Sequence, residues 1–383
     1  MSDTGNPPTT GISRTCIYTA AGRAIGARDP DPSVRNPDSL AETLLGDPSS
    51  FNITHASVRA LGLSYDEAMR DLEVVNTVRV MMVRTRFIDE ALERAVADGA
   101  AHVVILGAGF DSHAYRCQEL LANVRVFEVD RPATQAFKKQ RVLDALGGPP
   151  PNLTYVPIDI QHEDLADVLR RHGHDQSQRT FFIMEGVTMY VPEEGVRATL
   201  RYVAGHPPGS AIVFDFMYRP MVEMLKNLDW ARVPDSLKPY VQRFLDLIKD
   251  EPWVFGIPVG GERSFLSEVG LELREALAIG GEESIKRYAT KADGTQLGAQ
   301  AMAEGMARMA QRAREAGAAS PEAQAVNRER MRAAAYDGVP TSRGGCALVG
   351  LGVDGQVLNT STLTCNVCWP PPRMTPRTGL TSA

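Results

Sequence analysis

The chain has 383 residues, 43% of them hydrophobic, and a formal net charge of −6. That length suits one large domain or two modest ones, and the acidic balance argues against a nucleic-acid partner, which calls for a basic face. No apolar run approaches the ~20 residues of a membrane span, and five scattered cysteines make no disulfide framework, so a reduced, cytoplasmic protein with no membrane or nucleic-acid partner is expected.

Residues 1–10 are small, polar and proline-rich and are expected to lack order. The opening "MSDTGNPPTTGISR" has neither the charged start nor the apolar block of a secretory signal. Residues 14–46 carry two helix-like patches, split by "RDPDPSVRNPD", whose prolines break any helix. From Leu72 to Ala97 apolar residues recur at helical spacing (Leu72, Val75, Val78, Met82, Ile88, Leu92), which predicts a long amphipathic helix or two. "DGA" at 98–100 ends it.

An alternation follows. "HVVILG", "VRVFEVD", "LTYVPID", "TFFIMEG" and "SAIVFDFMY" read as strands. Between them "SHAYRCQELLA", "PATQAFKKQRVLDAL", "EDLADVLRRH" and "PEEGVRATLRYVA" read as helices, the second with Pro132 at a permissive first-turn position. Strict alternation predicts an α/β fold with a parallel sheet covered by helices on both faces. Beyond Tyr218 the rhythm stops. Residues 219–256 look helical and irregular, a helix and the strand "GLELREAL" follow, and about 297–336 is an Ala- and Arg-rich helical stretch. "CALVGLGVDG" and "LNTSTLT" suggest a closing hairpin before a loose tail.

In an open parallel sheet, ligands bind beyond the carboxyl ends of the strands. The first strand ends in Gly107 and Gly109, with Asp111 just beyond and Ser112 where a dinucleotide fingerprint has its third glycine. The second ends in Glu128 and Asp130, about twenty residues on, where an acid can bind ribose hydroxyls. The third ends in Asp159 and the fourth in Glu185. Carboxylates accept hydrogen bonds from hydroxyls and amines and repel phosphates. This acidic wall disfavours a diphosphate cofactor and suits S-adenosyl-L-methionine, with its ribose, adenine amine, ammonium and sulfonium. Arg84, Arg86 and the loop amides are available for its carboxylate. His113 and His162 are weak candidates for a base, His113 falling inside a helix. "CNVC" (Cys365, Cys368) has no second ligand pair to complete a zinc site, so no metal is expected.

With these residues together, "RTRFIDEAL" (84–92), "VVILGAGFDSHAYR" (103–116), "VFEVDRPATQAFKKQRV" (126–142), "YVPIDI" (155–160) and "MEGVTMYVP" (184–192) resemble the motifs of the leucine carboxyl methyltransferase family, closest to its bacterial S-adenosyl-L-methionine-dependent branch. The resemblance spans about residues 70–216. It implies a class I methyltransferase (Rossmann-like) fold, a seven-stranded sheet whose last strand is antiparallel, with helical lid elements. By the same resemblance Arg84 holds the cofactor carboxylate and Gly107 and Gly109 form the cofactor loop. Asp130 binds the ribose with Glu128 beside it, Asp159 and Ile160 meet the adenine, and Glu185 lies near the amino end. His113 departs from the family, whose members often carry arginine there.

The expected organisation is an N-terminal helical cap over 1–65 and a methyltransferase domain over 66–365. That domain carries a helical insert at about 218–260 and the helical stretch at about 297–336; residues 366–383 form a loose tail. The expected function is O-methylation of a carboxylate on a small molecule or peptide end. A carboxylate is ionised at neutral pH and needs no base, so no catalytic residue is assigned, and Tyr190 and Tyr218 are expected to wall the methyl group. The alternatives are methylation of a hydroxyl on a secondary metabolite and a non-catalytic cofactor binder. A nicotinamide oxidoreductase is disfavoured by Asp111 and Ser112.

Overall fold

The computed structural model describes residues 12–47, 50–51, 53, 55–158, 163–231, 233, 235, 238–304 and 307, and the strand backbone at 350–351, 357–358 and 363–368. The N-terminal part is helical: α1 (Arg14–Gly26), α2 (Ala41–Leu45), α3 (Ala56–Arg59), α4 (Tyr65–Ala68) and the long α5 (Leu72–Ala97). The alternating region follows as β1 (His102–Leu106), α6 (His113–Arg116), β2 (Arg125–Asp130), α7 (Pro132–Leu146), β3 (Leu153–Pro157), α8 (Leu165–Arg171), β4 (Thr180–Met184), α9 (Glu193–Ala204) and β5 (Ala211–Phe216). Then come α10 (Arg219–Lys226), α11 (Lys238–Ile248), α12 (Glu262–Ser267), β6 (Glu272–Ala278) and α13 (Glu282–Tyr288). Short strands β7 (Gly350–Leu351) and β8 (Val357–Leu358) pair with each other, and β9 (Leu363–Cys368) joins the main sheet. The 297–336 stretch lies mostly outside the described residues; of the expected loose tail at 366–383, residues 366–368 belong instead to β9, where they pair with β5 and β6, and the rest lies outside the described residues.

Strands β1 to β5 pair in parallel in the order β3–β2–β1–β4–β5, and β9 pairs antiparallel with both β5 and β6 beyond that edge. Side chains along each strand alternate between two cores, as period-two geometry requires. Val103, Ile105, Val126, Phe181, Ile183 and Val213 face α1 and α5. Val104, Leu106, Phe127, Val129, Phe182 and Phe214 face α8 and α9. Strands buried on both faces explain the unbroken apolar runs that marked them in the sequence.

Local chemistry sets the helix ends. The Asp71 side chain accepts from the Glu73 amide at 2.8 Å and starts α5. Pro132 opens α7, and Gly147, at φ 76°, closes it in the left-handed region. The apolar pattern predicts more helix after β1 than forms: α6 is a single turn, ending at Cys117. Its first residue is tied to α5 through His113 and Asp89, and that long-range anchor orients the turn independently of local propensity. Among the described residues no helix is long and apolar enough to cross a membrane.

Candidate active site

The carboxyl ends of β1, β2, β4 and β5 converge on one cavity of about 700 Å³. Gly107 and Gly109 form its floor with φ of 65° and 42°, a region that L side chains avoid. A Cβ on Gly107 would come within 2.4 Å of Val187 Cγ2, so only glycine lets the loop pass this close to Val187, and both residues line the cavity.

Asp130 stands at the end of β2 and lines the cavity. Its carboxylate accepts from the Gly109 amide at 2.5 Å and the Arg131 amide at 2.6 Å. Burial raises its pKa, while those two amides pull the other way. Glu128, two residues earlier, does not line the cavity. It is buried against Lys138 Nζ at 2.8 Å and Tyr115 Oη at 3.2 Å, and burial pushes it up to about 7. The expectation that Glu128 stands beside Asp130 at the ligand is therefore corrected, because α7 brings a lysine over that carboxylate. Asp159 and Ile160 lie outside the described residues; Ile158, just before them, lines the cavity.

Arg84 enters from α5 and lies buried between two acids, with Nη2 2.8 Å from Glu185 and Nε 3.3 Å from Asp215. Asp215 Oδ1 accepts from the Gly186 amide at 2.6 Å. Arg84 Nε, Glu185 Oε1 and Asp215 Oδ2 are buried without an aligned hydrogen bond, as is Thr134 Oγ1 at the start of α7. Buried polar atoms left in this state are costly unless a ligand meets them. Arg86 is directed elsewhere: it donates to the carbonyls of Pro32 and Arg35 and does not line the cavity.

Several residues absent from the sequence expectation complete the walls. Arg23 on α1 lines the cavity, pairs with Asp38 at 2.7 Å and donates to the Phe110 carbonyl at 2.8 Å. A lone charge inside the small, apolar run "YTAAGRAIG" was its only sequence signal. Tyr18, also on α1, packs edge-on against His55, with ring centroids 4.5 Å apart. His55 Nδ1 accepts from the Ser57 amide at 3.2 Å, and its Nε2 lies 3.1 Å from Glu73 Oε1. Burial lowers the His55 pKa to about 3, so the ring is neutral. Glu73 in turn receives Arg243 of α11 at 2.8 and 3.0 Å.

Tyr190 lines the cavity as expected, its phenol pushed up to about 12 by burial. Tyr218 does not. Its hydroxyl donates to Glu262 at 2.7 Å and its ring packs against Phe216 in the core facing α9. His113 lies between Asp111 Oδ2 at 2.7 Å and Asp89 Oδ1 at 3.0 Å. Burial works against its charge, but the acids, Asp111 foremost, outweigh that and push it up to about 9. Asp111 is held well below the usual carboxylate range despite its burial, chiefly by His113. An imidazolium clamped by two carboxylates is a structural cation, as an arginine there would be. His162 lies outside the described residues.

The residues present fit an S-adenosyl nucleoside with an amino-acid end. A buried carboxylate, Asp130, lies at the glycine loop. Buried cations and anions with spare capacity lie at Arg84, Glu185 and Asp215.

The model of the leucine carboxyl methyltransferase family matches residues 16–204. A Mycolicibacterium vanbaalenii protein named "putative S-adenosyl-L-methionine-dependent methyltransferase" is 33% identical over 283 residues, spanning 66% of this chain and 86% of that protein. A Bacillus subtilis protein of the same description is 30% identical, spanning 53% of this chain and 70% of its own length. The crystal structure of a "putative methyltransferase" from Thermobifida fusca is similar with a TM-score of 0.42 at 16% identity, covering 72% of this chain and 94% of that one.

Proposed function

The chain belongs to the leucine carboxyl methyltransferase family and is an S-adenosyl-L-methionine-dependent methyltransferase, and from that premise we propose that it methylates an oxygen, the carboxylate of a small molecule or peptide end. The class I methyltransferase α/β fold has a parallel order β3–β2–β1–β4–β5. The antiparallel pairing of β9 with β5 and β6 supports the full seven-strand arrangement. In this reading residues 12–65 are a helical cap over a domain that runs from 66 to the end of β9 at 368, with 218–260 inserted into it.

S-adenosyl-L-methionine supplies an electrophilic methyl group when bound. Asp130 accepts from the ribose hydroxyls while its other bonds fix the glycine loop. Arg84 holds the cofactor carboxylate. Glu185, assisted by Asp215, receives the ammonium. Before binding these three charges face one another, which offsets part of the cost of burying them. The acceptor oxygen's lone pair forms the new O–C bond as the S–C bond breaks, and that electron pair stays on sulfur. A carboxylate gives up no proton in this step.

One observation carries the carboxylate reading: among the described residues no histidine or acid in the cavity wall beyond the cofactor groups is both buried and free to take a proton. Both nitrogens of His55 are engaged. Glu73 is held by His55 and Arg243, and Glu251 by Ser13, Thr15 and Arg131. Catalysis then rests on orientation, which can supply ~7–11 kcal/mol of the barrier. Hydroxyl methylation is the second reading; it requires the His55–Glu73 pair, which borders the cavity, to give up one of its present partners before it takes a proton. The two readings differ in product and in mutant rate. A carboxylate product is a methyl ester that mild alkali hydrolyses to methanol, and His55→Ala keeps the rate within about tenfold. An alkali-stable ether, with a His55→Ala loss of the ~10²–10⁴-fold typical of a general base, defeats the carboxylate reading.

A further inference from the structure

The cavity extends well past the strand ends. On α5 its wall includes Leu72, Asn76, Thr77, Val80, Met81 and Arg84, one stripe at three- and four-residue spacing. From Arg84 to Leu72 this stripe runs about 18 Å at 1.5 Å per residue. The wall also includes Tyr240, Val241, Phe244, Leu247 and Ile248 of α11, again a single helical stripe, on a helix tied to α5 by the Arg243–Glu73 pair. Phe244 and Trp253 meet edge to face at 5.1 Å and make an aromatic corner in the wall. Tyr240 and Val254 line the cavity while each remains 39% exposed, and so mark its mouth.

The charged groups in this outer compartment are already matched. Glu73 is shared by His55 and Arg243, and Arg243 also lies over the Tyr240 ring at 4.8 Å. Glu251 is held by Ser13, Thr15 and Arg131. Asp250, on the rim, faces solvent. What remains for a ligand is apolar surface with a few neutral polar groups, among them Asn76, the Tyr18–Thr77 hydroxyl pair, Tyr190 and the buried Trp253 indole N–H. A ligand carrying further charges or a run of peptide groups would bury most of them here without partners, which is costly for each polar group.

Resting on the methyltransferase reading above, we propose that the acceptor is an apolar monocarboxylic acid seated against the stripes of α5 and α11. Its carboxylate faces the strand ends, and its body lies along the stripe towards Leu72. Small-molecule sites combine such apolar walls with a few placed polar groups. A peptide end, by contrast, brings one amide N–H and one carbonyl per residue, each needing a partner.

The test is calorimetry on the full-length chain loaded with S-adenosylhomocysteine. It is titrated at pH 7.5 with 2-naphthoic acid, 2-naphthol and an N-acetylated leucine tripeptide, and methyl transfer from S-adenosyl-L-methionine to each is then assayed. 2-Naphthoic acid should bind at least tenfold tighter than the tripeptide and should be methylated. Val80→Glu and Phe244→Ala should each weaken naphthoate binding tenfold or more, with S-adenosylhomocysteine affinity held within about twofold as the check on folding. Equal or tighter binding of the tripeptide, or no binding of either naphthalene, overturns the apolar slot and leaves carboxyl transfer standing. Methylation of 2-naphthol with naphthoate bound but unmethylated upholds the slot and overturns the carboxylate reading instead.

Discussion

Asp130 has two tasks, and its substitutions should separate them. Asp130→Ala removes the acceptor for the Gly109 and Arg131 amides together with the ribose contact. Hydrogen bonds to a charged group contribute about 1.5–3 kcal/mol each. Isothermal titration should therefore show S-adenosylhomocysteine affinity falling at least tenfold in Asp130→Ala, and less in Asp130→Asn, which keeps one acceptor oxygen. An unchanged dissociation constant in the alanine variant removes Asp130 from the ribose site. The same position shows how far the residues could be read from sequence. Asp130 and Glu128 are equivalent there, two acids ending one strand. What distinguishes them is Lys138 on the following helix, a residue inside the quoted 126–142 stretch whose pairing with Glu128 only the packing of α7 reveals. Gly107, Gly109 and Glu185 were legible because strand ends in a parallel sheet must converge, whereas Arg84, on α5, was singled out through the resemblance carried by "RTRFIDEAL". Arg23, Tyr18 and His55 were not legible, because the N-terminal helices reach the site only through long-range packing.

At the scale of elements, the sequence pattern matched best where a helix has chemical end signals of its own. The spacing from Leu72 and the proline at 132 gave the bounds of α5 and α7. It matched worst at α6, whose single turn is set by the contacts of His113 and Arg116 to Asp89 on α5. The lid helix α11 shows the reverse dependence: its placement over the cavity includes the Arg243 pairing with Glu73. Arg243→Ala should raise amide hydrogen exchange across residues 238–248 by about tenfold, since local opening follows the loss of tertiary ties. Exchange in β1, β4 and β5 should not change. Exchange in α11 at the parental rate would mean that its apolar stripe alone fixes the helix.

The whole molecule carries opposed proton-linked effects at separate places. At the amino end of the sheet, His102, His174 and His206 stack, with ring centroids 5.1 Å and 5.3 Å from His174 to the other two. Asp175 and Arg125 lie nearby, but burial dominates. It lowers all three rings, His174 to about 3. An unfolded histidine titrates near 6.5, so stability from these neutral rings is complete above that pH and lost as pH falls towards 3. His113 acts in the other direction. Its folded value of about 9 makes its contribution complete below pH 6.5, and that contribution is lost as pH rises through 9. The melting temperature should therefore pass through a maximum and fall on both sides, with His55 adding to the acid limb and Glu128, pushed up to about 7, to the alkaline one. His174→Gln should flatten the acid limb and His113→Gln the alkaline limb in a thermal scan across pH 4–10. A flat profile in the parent protein would contradict both assignments. Finally, α5 runs through both compartments as one 26-residue rod, with Arg84 at the cofactor and Leu72, Asn76 and Val80 farther out along the slot. Each turn advances about 5.4 Å, so the rod acts as a ruler graduated in helical turns. A bulky residue at 72, 76 or 80 would cap the admissible length of the acceptor in successive steps, and the catalyst's scope could be retuned along one helix without touching the groups that hold its methyl donor.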